Sequence, residues 1–174
     1  MQLLLSGLPT EFSLPLVIVQ HRGKGAETGL CEFLACNSRL PVTEPEDKEK
    51  VLPGHAYLAP RDYHLLLESG SFALSTDAPV GFARPSIDVL FESAANEYKD
   101  RVIGVILTGA NQDGARGLSA IKGQGGLTLV EDPRTAARRE MPDAAIKLTE
   151  VDRILPMEKI AACLQQLSNN VRAL

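Results

Sequence analysis

The sequence predicts an α/β fold: a doubly wound, mostly parallel sheet flanked by helices, with an inserted antiparallel hairpin. Three observations lead there. First, the apolar runs Leu16 to Gln20, Val102 to Leu107 and Leu127 to Val130 have strand length and almost no polar alternation, as strands covered on both faces do. Second, segments of helical periodicity lie between them, the pattern of parallel strands joined by right-handed crossovers. Third, the stretch from Leu40 to Thr76 departs from that alternation, and its Ser69-Gly70 step is a hairpin signal.

Taken in order, Leu3 to Leu8 reads as the last turns of a helix ended by Gly7 and Pro9. Ala26 to Ser38 carries Leu30, Phe33 and Leu34 at helical spacing with Cys31 alongside, which fits a helix packed on the sheet. Val51-Leu52-Pro53-Gly54 is a turn, and Ala56 to Ala59, His64 to Glu68 and Phe72 to Ser75 are short strands forming a small antiparallel insert. Ser86 to Tyr98 is a helix with Ser86 placed to cap it and Ile87, Leu90, Phe91 and Ala94 along one face. Asp113 to Lys122 is a helix opening from a glycine-framed turn. Pro142 to Lys147 is a short helix, and Met157 to Leu167 is amphipathic. With 174 residues and 44% hydrophobic content, the chain supports one core and is expected to form a single domain over residues 1–174.

Composition excludes several classes of function. Eighteen basic residues face 22 acidic ones with no basic block, so nothing draws a phosphate backbone and nucleic acid is not an expected partner. No apolar run reaches bilayer length, and Met1 to Gly7 lacks the basic start of a signal peptide. Three cysteines without a CxxC argue for a reducing cytoplasm rather than a disulfide framework. Cys31 and Cys36 do not have metal-ligand spacing. Gly23-Lys24-Gly25 has the wrong order for a P-loop, and no cofactor is expected.

The chemistry is concentrated in His21, at the end of Val17-Ile18-Val19-Gln20-His21, and Asp113, in Thr108-Gly109-Ala110-Asn111-Gln112-Asp113-Gly114. Carboxyl ends of parallel strands face the ligand crevice, so both residues stand where chemistry happens. A base and a carboxylate form two thirds of a nucleophile–His–Asp relay. Asp113 has a second reading, as the N-cap of the helix that follows it. The third member of the relay is not evident. Ser6 lies near a helix end with no glycine-rich elbow, Ser86 reads fully as an N-cap, and nothing lowers the thiol pKa of Cys31. His55 and His64 flank the hairpin as structural or rim residues, and with Glu68 they make no metal set. Glu131-Asp132-Pro133 reads as a solvated charged turn. Arg134, Arg138 and Arg139 read as a solvated face, with an acidic receptor surface as the alternative.

Five segments, VIVQH at 17–21, LPGHAYLAPRDYHLLL at 52–67, ARPSIDVLFESAA at 83–95, GVILTGANQDGARGLSAIKGQGG at 104–126 and MPDAAI at 141–146, together resemble the catalytic domain of the CheB-type chemotaxis protein-glutamate methylesterases. The resemblance implies a cytoplasmic serine hydrolase that removes methyl groups from glutamyl γ-methyl esters on chemoreceptor helices, with glutamine deamidation in some members. It assigns His21 as general base, Asp113 as the carboxylate holding its ring, and the Ala110 N–H as an oxyanion donor. The sequence departs from the family at three places. Ala110-Asn111 stands where the family has Met-Gly, and Arg22-Gly23-Lys24 follows His21 where Met-Pro is usual. The family's Gly-Ala-Ser-x-Gly-Gly turn and the strand before it would lie upstream of Met1, so the nucleophile is not found in this sequence. An exposed apolar groove at the sheet and an inactive polypeptide are the expected consequences. The alternative is a docking module that binds receptor helices or a signalling partner without chemistry; a weaker third reading is a nucleotide-binding domain. No receiver domain is read in the sequence, and one would act from another chain.

Overall fold

The structure, a computed structural model, describes residues 1–21 and 29–172. Its elements run α1 (Gln2–Ser6), β1 (Leu16–Ile18), α2 (Leu30–Cys36), β2 (Val42–Thr43), β3 (Ala56–Leu58), β4 (His64–Glu68), β5 (Ser71–Ser75), α3 (Ile87–Tyr98), β6 (Ile103–Ile106), α4 (Ala115–Gly123), β7 (Leu127–Glu131), α5 (Glu140–Leu148), β8 (Arg153–Leu155) and α6 (Met157–Arg172). Two three-stranded parallel sheets result, ordered β1-β3-β2 and β6-β7-β8, and β4–β5 forms the antiparallel hairpin. Ser69 and Gly70 close that hairpin with φ of 49° and 72°, the left-handed pair a two-residue type I′ loop requires. The doubly wound class therefore stands as predicted.

Alternation along the strands explains why both faces are covered. In β6 and β7, Val105, Leu127 and Leu129 pack with α1 and α6 around Leu4, Ile160 and Leu164. Ile106 and Val130 face the other way, onto Leu118 of α4 and Met141 and Ala145 of α5. In the other sheet Ile18, Ala56 and Leu58 meet α1 and Leu34 of α2, while Val17 and Tyr57 meet the hairpin and Leu90 of α3. Gly117 lets α4 lie close against α3, because a Cβ there would sit 2.5 Å from Phe91 Cβ.

Several expectations need correction. Ala56 to Ala59 does not belong to the antiparallel insert; Ala56–Leu58 is the central strand of the first parallel sheet, paired in register with both β1 and β2. Strands β2 and β8 were not foreseen, since two or three residues are too short for a period to show. Phe33 is half exposed, whereas Leu34 of the same expected face is buried. Glu131 and Asp132 are buried rather than solvated, the first accepting from the Thr108 N–H at 2.7 Å and the second paired with Arg134 at 2.6 Å. The part of the predicted helix over 26–28, and Gly23-Lys24-Gly25, lie outside the described residues.

The two parallel sheets are not joined: β1 and β6 each end a sheet, and no ladder among the described residues links them. Between them lies an apolar cleft of about 760 Å³, lined by Val17, Val19, Leu90, Ile103 and Val105, with His21 and Asn111 also in its wall. Leu16 donates to His55 and Ile18 accepts from Ala59, so the even-numbered residues of β1 serve β3 and the main chain of Val17 points into the cleft. Val102 accepts from Leu127 in the same way, leaving Ile103 and Val105 to face the cleft from the other side. The cleft therefore has a strand edge along each side.

Candidate active site

His21 follows β1 by three residues and Asp113 follows β6 by seven, so each stands past the carboxyl end of a parallel strand, and His21 also lines the cleft. Their side chains meet: His21 Nε2 lies 2.7 Å from Asp113 Oδ2, with the ring 27% exposed and the carboxylate 4%. Residues 92 apart in the chain thus form the pair that the sequence placed at strand ends.

The protonation of the ring can be read from its neighbours. Asn111 Oδ1 accepts from the Asp113 N–H at 3.0 Å, which fixes which end of that amide is oxygen. Asn111 Nδ2 therefore donates to His21 Nδ1 at 3.1 Å. Nδ1 is an acceptor, so the neutral ring carries its proton on Nε2 and donates it to Asp113. A proton taken from a nucleophile would go to Nδ1.

Asp113 is held by four donors. Oδ1 accepts from the Ser86 hydroxyl at 2.7 Å and the Asp88 N–H at 3.0 Å, and Oδ2 accepts from the Ile87 N–H at 2.7 Å besides His21. Burial works to raise this carboxyl, but the hydrogen bonds from His21, Asp88, Ile87 and Ser86 outweigh it and hold it below its ordinary value. It stays ionised and can orient an imidazole.

Two sequence readings change here. Ser86 occupies the N-cap position of α3 but makes no side-chain cap; its hydroxyl donates to Asp113, which caps α3 in its place. Asp113 does not cap α4, the helix that follows it. Asp88, in the first turn of α3, does so instead, accepting from the Gly114 and Gly117 N–H groups at 2.9 Å each and from Arg116 Nε at 3.0 Å. The two helices exchange carboxylate caps, each placing an anion at the positive end of the other. Sequence reasoning missed Asp88; the signal was the Ser-x-Asp at 86–88, two short polar residues at one helix start.

The turn carrying Asp113 is pinned from outside as well. Gly109 donates to Arg138 O and accepts from Met141 N, at 3.1 and 3.0 Å. Thr108 Oγ1 accepts from Arg138 N at 2.7 Å. Ala110 is exposed at the cleft mouth.

The other candidates stand elsewhere. Ser6 is exposed on α1 with its hydroxyl on Leu3 O. His64 is fully enclosed, with Nε2 near Ala78 O and Nδ1 accepting from Ser86 N, and so braces the segment beneath the His21–Asp113 pair. His55 donates from Nδ1 to Pro53 O and stacks on Tyr57. Cys31 donates to Val42 O at 3.6 Å. Among the described residues no Ser, Thr or Cys hydrogen-bonds to the His21 ring, and no group of His, Cys, Asp or Glu has metal-holding geometry. No helix among them is long and apolar enough to cross a membrane.

The CheB methylesterase family profile matches residues 1–164. A homologue from Leptospira interrogans is 47% identical over 171 residues, covering 98% of this chain and 89% of its own. The protein-glutamate methylesterase/protein-glutamine glutaminase 2 of Anaeromyxobacter dehalogenans is 43% identical over 94% of this chain, which spans only 48% of that protein. The crystal structure of the Thermotoga maritima CheB methylesterase catalytic domain superposes with a TM-score of 0.89 at 36% identity, covering 95% of this chain and 90% of its own.

Proposed function

The chain belongs to the CheB methylesterase family, and from that premise we propose that it is the catalytic domain of a serine-type hydrolase of glutamyl γ-methyl esters on chemoreceptor helices, with glutamine deamidation as a second activity. The 2.7 Å bond between His21 and Asp113 carries this reading. A serine carried on a strand in the apolar cleft between β1 and β6, which has a strand edge along each side, would serve as the nucleophile beside His21. Its oxygen attacks the ester carbonyl while its proton passes to His21 Nδ1, and Asp113 steadies the imidazolium that forms. The Ala110 N–H helps hold the oxyanion. Methanol then leaves with the proton from His21, and water hydrolyses the acyl-serine to free glutamate.

The test is methanol release from methylated receptor, measured with the 174-residue polypeptide alone and with a Gly-Ala-Ser-x-Gly-Gly strand-turn segment joined ahead of it. Losing the nucleophile of a serine protease costs about 10⁶ in turnover, so the polypeptide alone should stay at background. The joined form should release methanol, and His21→Ala should abolish it. Clear turnover by the polypeptide alone that vanishes in His21→Ala would mean a substitute nucleophile. Silence of the joined form would favour the docking module.

A further inference from the structure

Asn111 sits on the nitrogen that the chemistry needs. Neutral His21 has one ring lone pair free to accept a proton, on Nδ1, because Nε2–H is committed to Asp113. The Asn111 amide donates into that lone pair at 3.1 Å, and its orientation is not free to reverse, since the Asp113 N–H already holds its oxygen at 3.0 Å. We propose that Asn111 is a latch on the base nitrogen: a positioning residue that keeps Nδ1 occupied in the resting state and that an incoming hydroxyl must displace. This rests on His21 being the general base.

The step balances without any further reactant. The hydroxyl O–H bond breaks as its oxygen bonds to the ester carbonyl, and the proton lands on Nδ1. The ring then presents N–H at both nitrogens, so the Asn111 Nδ2–H group would face another donor. The amide must turn away, losing its bond to the ring while its oxygen can stay on the Asp113 N–H. A plain turn-bracing role would need only the Oδ1 bond, which is a common Asx arrangement. The Nδ2 contact is what the latch adds.

Asn111→Ser separates the two roles, since a hydroxyl can still accept from the Asp113 N–H but brings no amide to Nδ1. The readout is the rate at which diethyl pyrocarbonate modifies each histidine, followed by peptide mass spectrometry. The lone pair of an unprotonated ring nitrogen attacks this reagent's carbonyl and is ethoxycarbonylated, and the 27% exposure of His21 lets the reagent approach. In Asn111→Ser, modification of His21 should quicken about fivefold, the effect on an opening equilibrium of removing one hydrogen bond of ordinary net strength. His55 should keep its rate, and enclosed His64 should stay unmodified, reporting an intact fold. Equal His21 rates in parent and variant, with His64 protected, would overturn the latch. Should His64 become reactive, the unaltered protein decides: a ¹⁵N–¹⁵N coupling across the bond from Asn111 Nδ2 to His21 Nδ1 supports the latch and its absence overturns it. Neither measurement needs turnover, so the result is independent of methanol release.

Discussion

Asp113→Ala tests the proposition that this carboxylate is the structural centre of the site as well as its electrostatic one. The substitution withdraws the acceptor from four donors at once. Two of them, the Ser86 hydroxyl and the Asp88 N–H, are buried and lose their acceptor. Leaving a buried donor unpaired costs about 1–3 kcal/mol, which puts the loss at about 2–6 kcal/mol for the pair. His21 is part exposed and adds little. Against a total stability of roughly 5–15 kcal/mol for a domain, that is enough to move the unfolding transition far down in urea. The chain has no Trp, so the transition is best followed by far-UV circular dichroism, and the slope against denaturant should be unchanged. Ser86→Ala supplies the control. Alone it removes a hydrogen bond to a charged acceptor and destabilises, but in the Asp113→Ala background it removes a stranded hydroxyl and should be neutral or stabilising. A loss below about 1 kcal/mol for Asp113→Ala would refute the reasoning, because it would mean that the enclosed donors find other partners.

Two further predictions follow from features away from the relay. Phe82 is fully exposed at a turn tip with φ of 66°, beside Gly81 at 55°, in a tight turn closed by reciprocal bonds between Val80 and Ala83. Phe82→Asn suits that backbone better and loses no packing, so stability should rise by about 0.5–1 kcal/mol, or a few degrees in melting temperature; an unchanged or lower melting temperature would contradict this. Asp152, hydrogen-bonded by the Lys122 ammonium and by the hydroxyl and N–H of Thr128, titrates at about 2 rather than 3.8. A depressed folded value stabilises above the unfolded one, and that contribution disappears as pH falls from 3.8 towards 2. Lys122→Met should therefore shift acid unfolding to higher pH, with the gap between variant and parent closing below pH 2; coincident acid transitions would exclude it.

Much of the architecture was legible because it is periodic. The runs 16–20, 102–107 and 127–130 declared buried parallel strands by their lack of alternation, and each contains the core of an observed strand. Those same runs placed His21 and Asp113 at strand ends, where parallel geometry leaves few places for them except the same crevice. Ala56-Tyr57-Leu58 shows where local pattern stops deciding. Its three buried residues fit a hairpin or a central parallel strand equally well, and only the pairing with β1 and β2 chose between them. Glu131 looked solvated because local reading treats a carboxylate as costly to bury, yet the Thr108 N–H waits for it at the end of the adjacent strand.

By itself, the sequence determined the alternation of strand and helix, the hairpin, and which residue types could carry acid–base chemistry, because period and side-chain chemistry are local properties of a chain. Tertiary structure alone decided that Asp113 caps α3 while Asp88 caps α4, that the Asn111 amide meets His21 Nδ1, and that β1 and β6 stand apart across an apolar cleft. Those facts are hydrogen-bond partnerships and strand neighbours between segments distant in the chain. Their choice follows from how helices and sheets pack, which no window of neighbouring residues contains.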